Sequence, residues 1–170
     1  MNPHIKLATF GRELLKHHSI EKGIPLISSY AKELSGAQRC SIYIYNSKLK
    51  VLWTTISDGV EKIMLDADQG IAGQTVREAR SIIENDPYNN PNFNPKIDRR
   101  TGFVTKNIAS IPIFDSSKKV IGALQLLNKE EGFTKDEVRL MVFFAHYISG
   151  YLELSTFFDD EQEYLLQAKK

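Results

Sequence analysis

Two short runs gather the residues best suited to holding a small polar ligand: Asp66–Gly73 (DADQGIAG) and Asp98–Asn107 (DRRTGFVTKN). Gly70 and Gly73 flank Ile71 and Ala72 where an apolar-periodic helix (Ile71, Val76, Ala79) begins. A helix start exposes unbonded backbone N–H groups at the positive end of its dipole, which suits an anion such as phosphate. The second run supplies Asp98, Thr101 and Thr105, polar groups able to orient a base or a ribose. Together they describe a pocket for a nucleotide-like ligand. The same spacing also fits a plain helix N-terminus followed by a turn, and glycine spacing alone does not separate the two.

These runs need a scaffold, and the periodicity supplies one. Leu7, Phe10 and Leu14 mark a helix over residues 4 to 17. Ile20, Ile24, Ile27, Ala31 and Leu34 step by four and three along a second. Ser19 is a candidate N-cap and Gly36 a candidate C-cap. Pro25 removes a backbone donor, so a firm helix is expected only from about Ile24. From Gln38 the period becomes two. Cys40–Tyr45, Val51–Ile56 and Val60–Leu65, joined by short turns, read as an antiparallel meander. A helix near Ile71–Ala79 and a short strand, Ser81–Glu84, follow.

Residues 85–95 (NDPYNNPNFNP) hold three prolines and five asparagines, so a long loop is expected, either a lid or an idle surface connection. Beyond it, Asn107–Phe114 and Val120–Leu127 are apolar on successive residues, as in strands covered on both faces. Thr134–Glu137 (TKDE) forms a capping box opening a long helix with a seam at Val138, Met141, Ala145, Ile148 and Leu152. That seam is either core or a subunit interface. Residues 1–18, 19–155 and 156–170 thus read as an N-terminal helix, the domain proper and a helical connector.

Composition narrows the function classes. The 170 residues carry 22 Lys and Arg against 21 Asp and Glu, a net charge of +1. No basic stripe stands out, so neither nucleic acid nor an anionic membrane is an expected partner. One cysteine, Cys40, permits no intramolecular disulfide, and no signal-peptide or membrane-length apolar run is present. A cytoplasmic domain is expected. The four histidines fall on the flanking helices, away from the ligand runs, and no metal site is expected.

Taken in order, the segments resemble a GAF domain of the class found in cyclic-nucleotide phosphodiesterases and bacterial adenylyl cyclases. The matches are Cys40–Tyr45 (CSIYIY), Ser57–Gly59 (SDG), Ala67–Gly73 (ADQGIAG), Asn85–Asn94, Asp98–Asn107, Ile111–Ile113 (IPI) and Asn128-Lys129 followed by Phe133. The resemblance covers roughly residues 20 to 155. It implies an α+β, PAS-related fold, an antiparallel sheet of about six strands between helical layers. It also implies a regulatory ligand, cAMP or cGMP, with no catalytic residue. Carried over by position, Ser41 would reach the ligand from the first strand and Asp58 would face the base. Ile71 and Ala72, with the amides beside them, would hold the cyclic phosphate. Asn94, Asp98, Thr101 and Thr105 would complete the wall.

Two departures stand out. Ser57 occupies a position where binding members place an aromatic that stacks on the base; Trp53 and Phe93 are candidates to replace it. Only Thr134 and Lys135 separate Phe133 from Asp136, so the partner of Lys129 in the family's structural motif is either Asp136 or Glu137. Two function classes follow: a small-molecule sensor signalling through its terminal helices, or a ligand-free dimerisation module. Either would sit upstream of an HD-type phosphohydrolase, kinase or cyclase output domain in a longer protein, with a homodimer formed through the terminal helices. An enzyme of the free methionine sulfoxide reductase kind shares the fold but needs several reactive cysteines.

Overall fold

A computed structural model describes residues 2–54 and 63–168, with backbone alone from 157 onward. Asp58 and Ser57, with the first part of the third expected strand, lie outside the described residues. Six strands form one antiparallel sheet in the order β3-β2-β1-β6-β5-β4. They are β1 (Arg39–Asn46), β2 (Val51–Thr54), β3 (Ile63–Asp66), β4 (Ile82–Glu84), β5 (Ile108–Phe114) and β6 (Val120–Leu127).

The sheet separates two unlike layers. Side chains at even positions of β1 and β6 and odd positions of β5 face helices α1 (Pro3–Leu15), α2 (Ile20–Ser35) and α5 (Lys135–Ala168). Ile42, Ile44, Ile111, Ile113, Leu124 and Leu126 meet Ile24, Ile27, Phe144 and Ile148 there in one apolar cluster. The seam Val138, Met141, Ala145, Ile148 and Leu152 is buried in this cluster throughout, so it belongs to the core and not to a subunit interface. Phe10 and Leu14 of α1 are buried in the same cluster, so α1 packs as part of this layer. Two α5 tyrosines fix the helices together. Tyr147 donates to the Leu7 carbonyl over 3.2 Å, and Tyr151 reaches the carbonyls of His17 and Ser19 at 3.0 and 3.1 Å. Gly11 and Gly23 leave the slots that these hydroxyls fill.

Helix α2 is regular from Ile20, a full turn earlier than Pro25 implied. The lost hydrogen bond is offset by burial of Ile20, Gly23, Ile24 and Ile27, a case of tertiary packing overriding a local penalty. Gly36 ends the helix in the left-handed region at φ 76°.

The other layer is smaller. It comprises α3 (Gly70–Glu78), α4 (Lys96–Thr101) and the Asn/Pro-rich segment between β4 and α4. That segment is less irregular than its sequence implied: Pro87–Asn89 forms a 3-10 turn, with proline at its first position where no donor is needed.

Candidate functional site

Between this smaller layer and the sheet lies a pocket of about 780 Å3, counting the part open to solvent. Its floor comes from odd positions of β1 and β6, Ser41, Tyr43, Gln125 and Leu127. Gly70–Ala72 at the start of α3 form one wall, and Ile97 and Asp98 of α4 another. Phe93 and Asn94 of the Asn/Pro-rich segment close the top.

Backbone geometry fixes the α3 wall. Gly70 takes φ 76°, a conformation glycine adopts without the penalty a side chain incurs. Gly73 brings the helix against the preceding turn, where a Cβ would stand 2.5 Å from the Ala67 carbonyl oxygen. The Gln69 side chain makes no capping hydrogen bond, and no acidic residue sits in the first turn. The first turn of α3 therefore lines the pocket with no side-chain cap on its amides.

Asp98 organises the opposite wall. It is 7% exposed, and its carboxylate accepts from three donors. Tyr88 Oη donates to Oδ2 over 2.7 Å, the Thr105 amide to Oδ2 over 2.8 Å, and Thr105 Oγ1 to Oδ1 over 2.8 Å. The hydrogen bond from Tyr88 raises that phenol's pKa, because the carboxylate favours the protonated hydroxyl. One carboxylate thus joins the lid, α4 and the approach to β5. The lid is tied to α3 as well, by Asn92 to Gln74 and Asn94 to Gln69, both at 3.3 Å. At its base Asn85 makes paired bonds to the Phe133 backbone, donating to the carbonyl over 3.2 Å and accepting from the amide over 3.1 Å.

Of the residues expected to touch a ligand, Ser41, Ile71, Ala72, Asn94, Asp98 and Thr105 line this one pocket. Thr101 does not. Its hydroxyl donates to the Ile97 carbonyl over 2.8 Å at the end of α4, so it serves its own helix. Asp58 lies outside the described residues. Ser41 already shares a hydrogen bond with Tyr43, whose burial pushes the phenol up to about 12. Among the aromatics proposed to replace Ser57, Phe93 is on the pocket, whereas Trp53 packs on the helical face.

The structure adds two pocket residues outside the sequence runs, Arg39 and Gln125, and two within them that had no role assigned, Gln69 and Phe103. Arg39 stacks its guanidinium 3.7 Å from the centre of the Phe103 ring, placing a cation at the pocket edge. Gln125 had a legible signal, a lone amide inside an otherwise apolar strand. The motif Asn128, Lys129 and Phe133 lies beyond the pocket. Lys129 pairs with Glu137 over 2.6 Å, which decides between the two acids. Asp136 points to solvent and lies 3.5 Å from Arg139. Glu137 also completes the capping box, accepting from the Thr134 amide at 2.9 Å while Thr134 Oγ1 accepts in return at 3.3 Å. Cys40 is fully buried on the helical face, across the sheet from the pocket. Among the described residues no group of acids, histidines or cysteine is placed to hold a metal, and no helix is long and apolar enough to cross a membrane.

The comparisons agree with this geometry. The chain is 28% identical over 165 residues to a probable 3',5'-cyclic phosphodiesterase, pde-5, of Caenorhabditis elegans. That alignment covers 86% of this chain and 22% of the relative, so the chain spans about a fifth of it. The fold is similar to the GAF domain of an Acinetobacter phosphoenolpyruvate-protein phosphotransferase, with a TM-score of 0.73 at 14% identity, covering 94% of this chain and 99% of that one. It is also similar to a free methionine-R-sulfoxide reductase of Neisseria meningitidis solved with its substrate, at TM-score 0.70 and 13% identity, covering 88% and 87%. The profile of the GAF domain family matches residues 21–152, and with the six-stranded antiparallel sheet between helical layers this makes the chain a member of the GAF domain family.

Proposed function

We propose that this GAF domain is a regulatory sensor whose pocket takes a cyclic nucleotide, cAMP or cGMP, and that it acts without catalysing a reaction. The observation that carries the reading is the uncapped start of α3 on a pocket that Asp98 and Thr105 also line, under a hydrogen-bonded lid. Amides at Gly70–Ala72 suit a cyclic phosphate, Arg39 adds positive charge, and Phe93 offers a ring face to a base. Relationship to a cyclic phosphodiesterase supports the same ligand class. Thiol chemistry is disfavoured, because Cys40 is buried on the face opposite the pocket.

Ligand binding would order the lid further and bias α5 through the Asn85–Phe133 pairing. A ligand that binds only the folded chain raises its melting temperature. Millimolar cAMP or cGMP should therefore raise it in the wild type. The shift should be lost in Asp58→Ala and Thr105→Ala but kept in His17→Ala. No shift with either nucleotide would reject the reading.

A second reading rests on α5. Leu140, Phe143, Tyr147 and Leu154 are 41–60% exposed and recur at steps of three, four and seven along one stripe. Such a stripe suits a second copy of the chain packing through the terminal helices. Residues 156–170 would extend this contact as a connector. Phe143→Glu should convert a dimer to a monomer in light scattering. A wild type that is monomeric at high concentration would remove this reading.

A further inference from the structure

We propose that the outer face of α4, with Tyr88, Val104 and Lys106 around it, is a docking surface for an acidic, extended peptide segment of a partner protein. This holds whatever the pocket binds.

Helix geometry sets the cations apart. Ile97 and Asp98 of α4 line the pocket, while Lys96, Arg99 and Arg100 are exposed. Positions i, i+3 and i+4 are neighbours on a helix, so Arg99 and Arg100 each stand roughly 5–6 Å from Lys96 between Cβ atoms. Lys106, also exposed, follows where the chain approaches β5. Among the described residues, none of these four side chains makes an ion pair or a hydrogen bond. Lys6, Lys16, Arg80, Lys129 and Arg139, by contrast, all pair with acids. The acids closest in sequence are already engaged. Asp98 is buried and accepts from Tyr88 and Thr105, Asp86 accepts from Asn89 over 2.7 Å, and Glu84 from Asn90 over 2.6 Å. Lys96 and Arg100 therefore repel each other at i and i+4 with no counter-charge, on a chain whose net charge is only +1. An acidic group arriving from outside would relieve that repulsion.

The apolar neighbours favour a peptide over a nucleic acid or a lipid surface. Tyr88 and Val104 are 54% and 59% exposed. Both adjoin α4 through Asp98: Tyr88 by its hydroxyl, and Val104 as the residue before Thr105, whose amide bonds the same carboxylate. Tyrosine and arginine are the side chains that most often anchor protein interfaces. An extended peptide sets alternate side chains about 6–7 Å apart on one side, close to the spacing of the cations. A phosphate backbone would use the cations and leave Tyr88 and Val104 without a role. Because these contacts surround the carboxylate that fastens the lid, a docked segment would also hold the lid closed.

The probe is a fluorescein-labelled peptide, Glu-Ser-Glu-Leu-Glu-Ser-Glu, titrated by anisotropy into the full chain at low salt. It should bind, and raising the salt about tenfold should weaken it, since exposed charges are screened. Arg99→Gln with Arg100→Gln should weaken binding several-fold while the melting temperature stays that of the wild type, and Arg99→Glu with Arg100→Glu should weaken it more than about tenfold. Lys118→Glu with Lys119→Glu, the same charge change on the exposed β5–β6 turn, should leave binding unaltered. Hydrogen exchange with bound peptide should slow across residues 86–106. No binding at about 1 mM peptide, equal binding of a peptide with glutamine for glutamate, or equal loss in the Lys118 and Lys119 variant would overturn the proposal. So would tighter binding to a single-stranded DNA oligonucleotide or to phosphatidylserine vesicles, or protection confined to α2 and α5.

Discussion

The two faces of this sheet are made from neighbouring residues of the same strands, yet they are built for different ends. Leu124 and Leu126 of β6 enter a continuous apolar layer with Phe144 and Ile148 of α5. Ala123 and Gln125, one residue away, meet a layer of smaller clusters, hydroxyls and a lidded pocket. On the first face close packing leaves side chains little freedom, and stability is concentrated there. On the second, much of the order comes from hydrogen bonds centred on Asp98 and the asparagines of the lid. Such a layer yields to a ligand at modest cost, whereas the helical face can hold the frame while that happens.

This contrast can be broken most severely on the helical face. Leu124→Ala should cost about 2–5 kcal/mol in chemical denaturation, the range for a large aliphatic truncated in a closed core. A loss under 1 kcal/mol would mean that the face is looser than its packing implies. Next comes Asp98→Ala, which strands the buried Thr105 amide and frees Tyr88. It should cost about 1–3 kcal/mol, with hydrogen exchange rising across residues 86–105 and not in α2. Exchange rising equally in both layers would show that they are not separable.

Tyr88→Phe is milder, since Asp98 keeps both donors from Thr105. Faster exchange in residues 86–95, with the melting temperature nearly unchanged, is expected; an unaltered lid would remove Tyr88 from its fastening. The smallest effect concerns the Lys129–Glu137 pair. The hydrogen bond from Lys129, then that of the Thr134 amide, holds the Glu137 carboxyl below its ordinary 4.5. Its contribution is present above that pH and lost as pH falls through the lowered value. The hydrogen bond to Glu137 holds the Lys129 ammonium above 10.5, and that contribution is lost as pH rises through the raised value. Melting curves of Glu137→Gln should therefore fall less steeply in acid than the wild type, and an unchanged acid limb would deny the pair a role in folding.

Much of the frame is written in periodicity. The alternation of Cys40–Tyr45 and the unbroken apolar runs of β5 and β6 locate the sheet, and the three-four seam of α5 locates its cover. Pro25 misled because a local rule cannot know that Ile20 and Ile24 will be buried. The ligand runs identified both pocket walls, but not the difference between a residue that faces the pocket and one that braces it. Thr101 and Thr105 look alike in sequence, yet one hydroxyl turns into its own helix and the other onto Asp98. Arg39 and Gln125 escaped because their strands were read for apolar pattern, and their membership of the pocket depends on register between distant segments.

On the proposed function, the pocket face and not the helical face should answer to a cyclic nucleotide. Hydrogen exchange measured with and without millimolar cAMP and cGMP tests it most directly. Protection by one or both nucleotides should concentrate in residues 69–76 and 86–105, extending to the start of α5 through Asn85 and Phe133. Protection confined to α1, α2 and α5, or absent with both nucleotides, would contradict it.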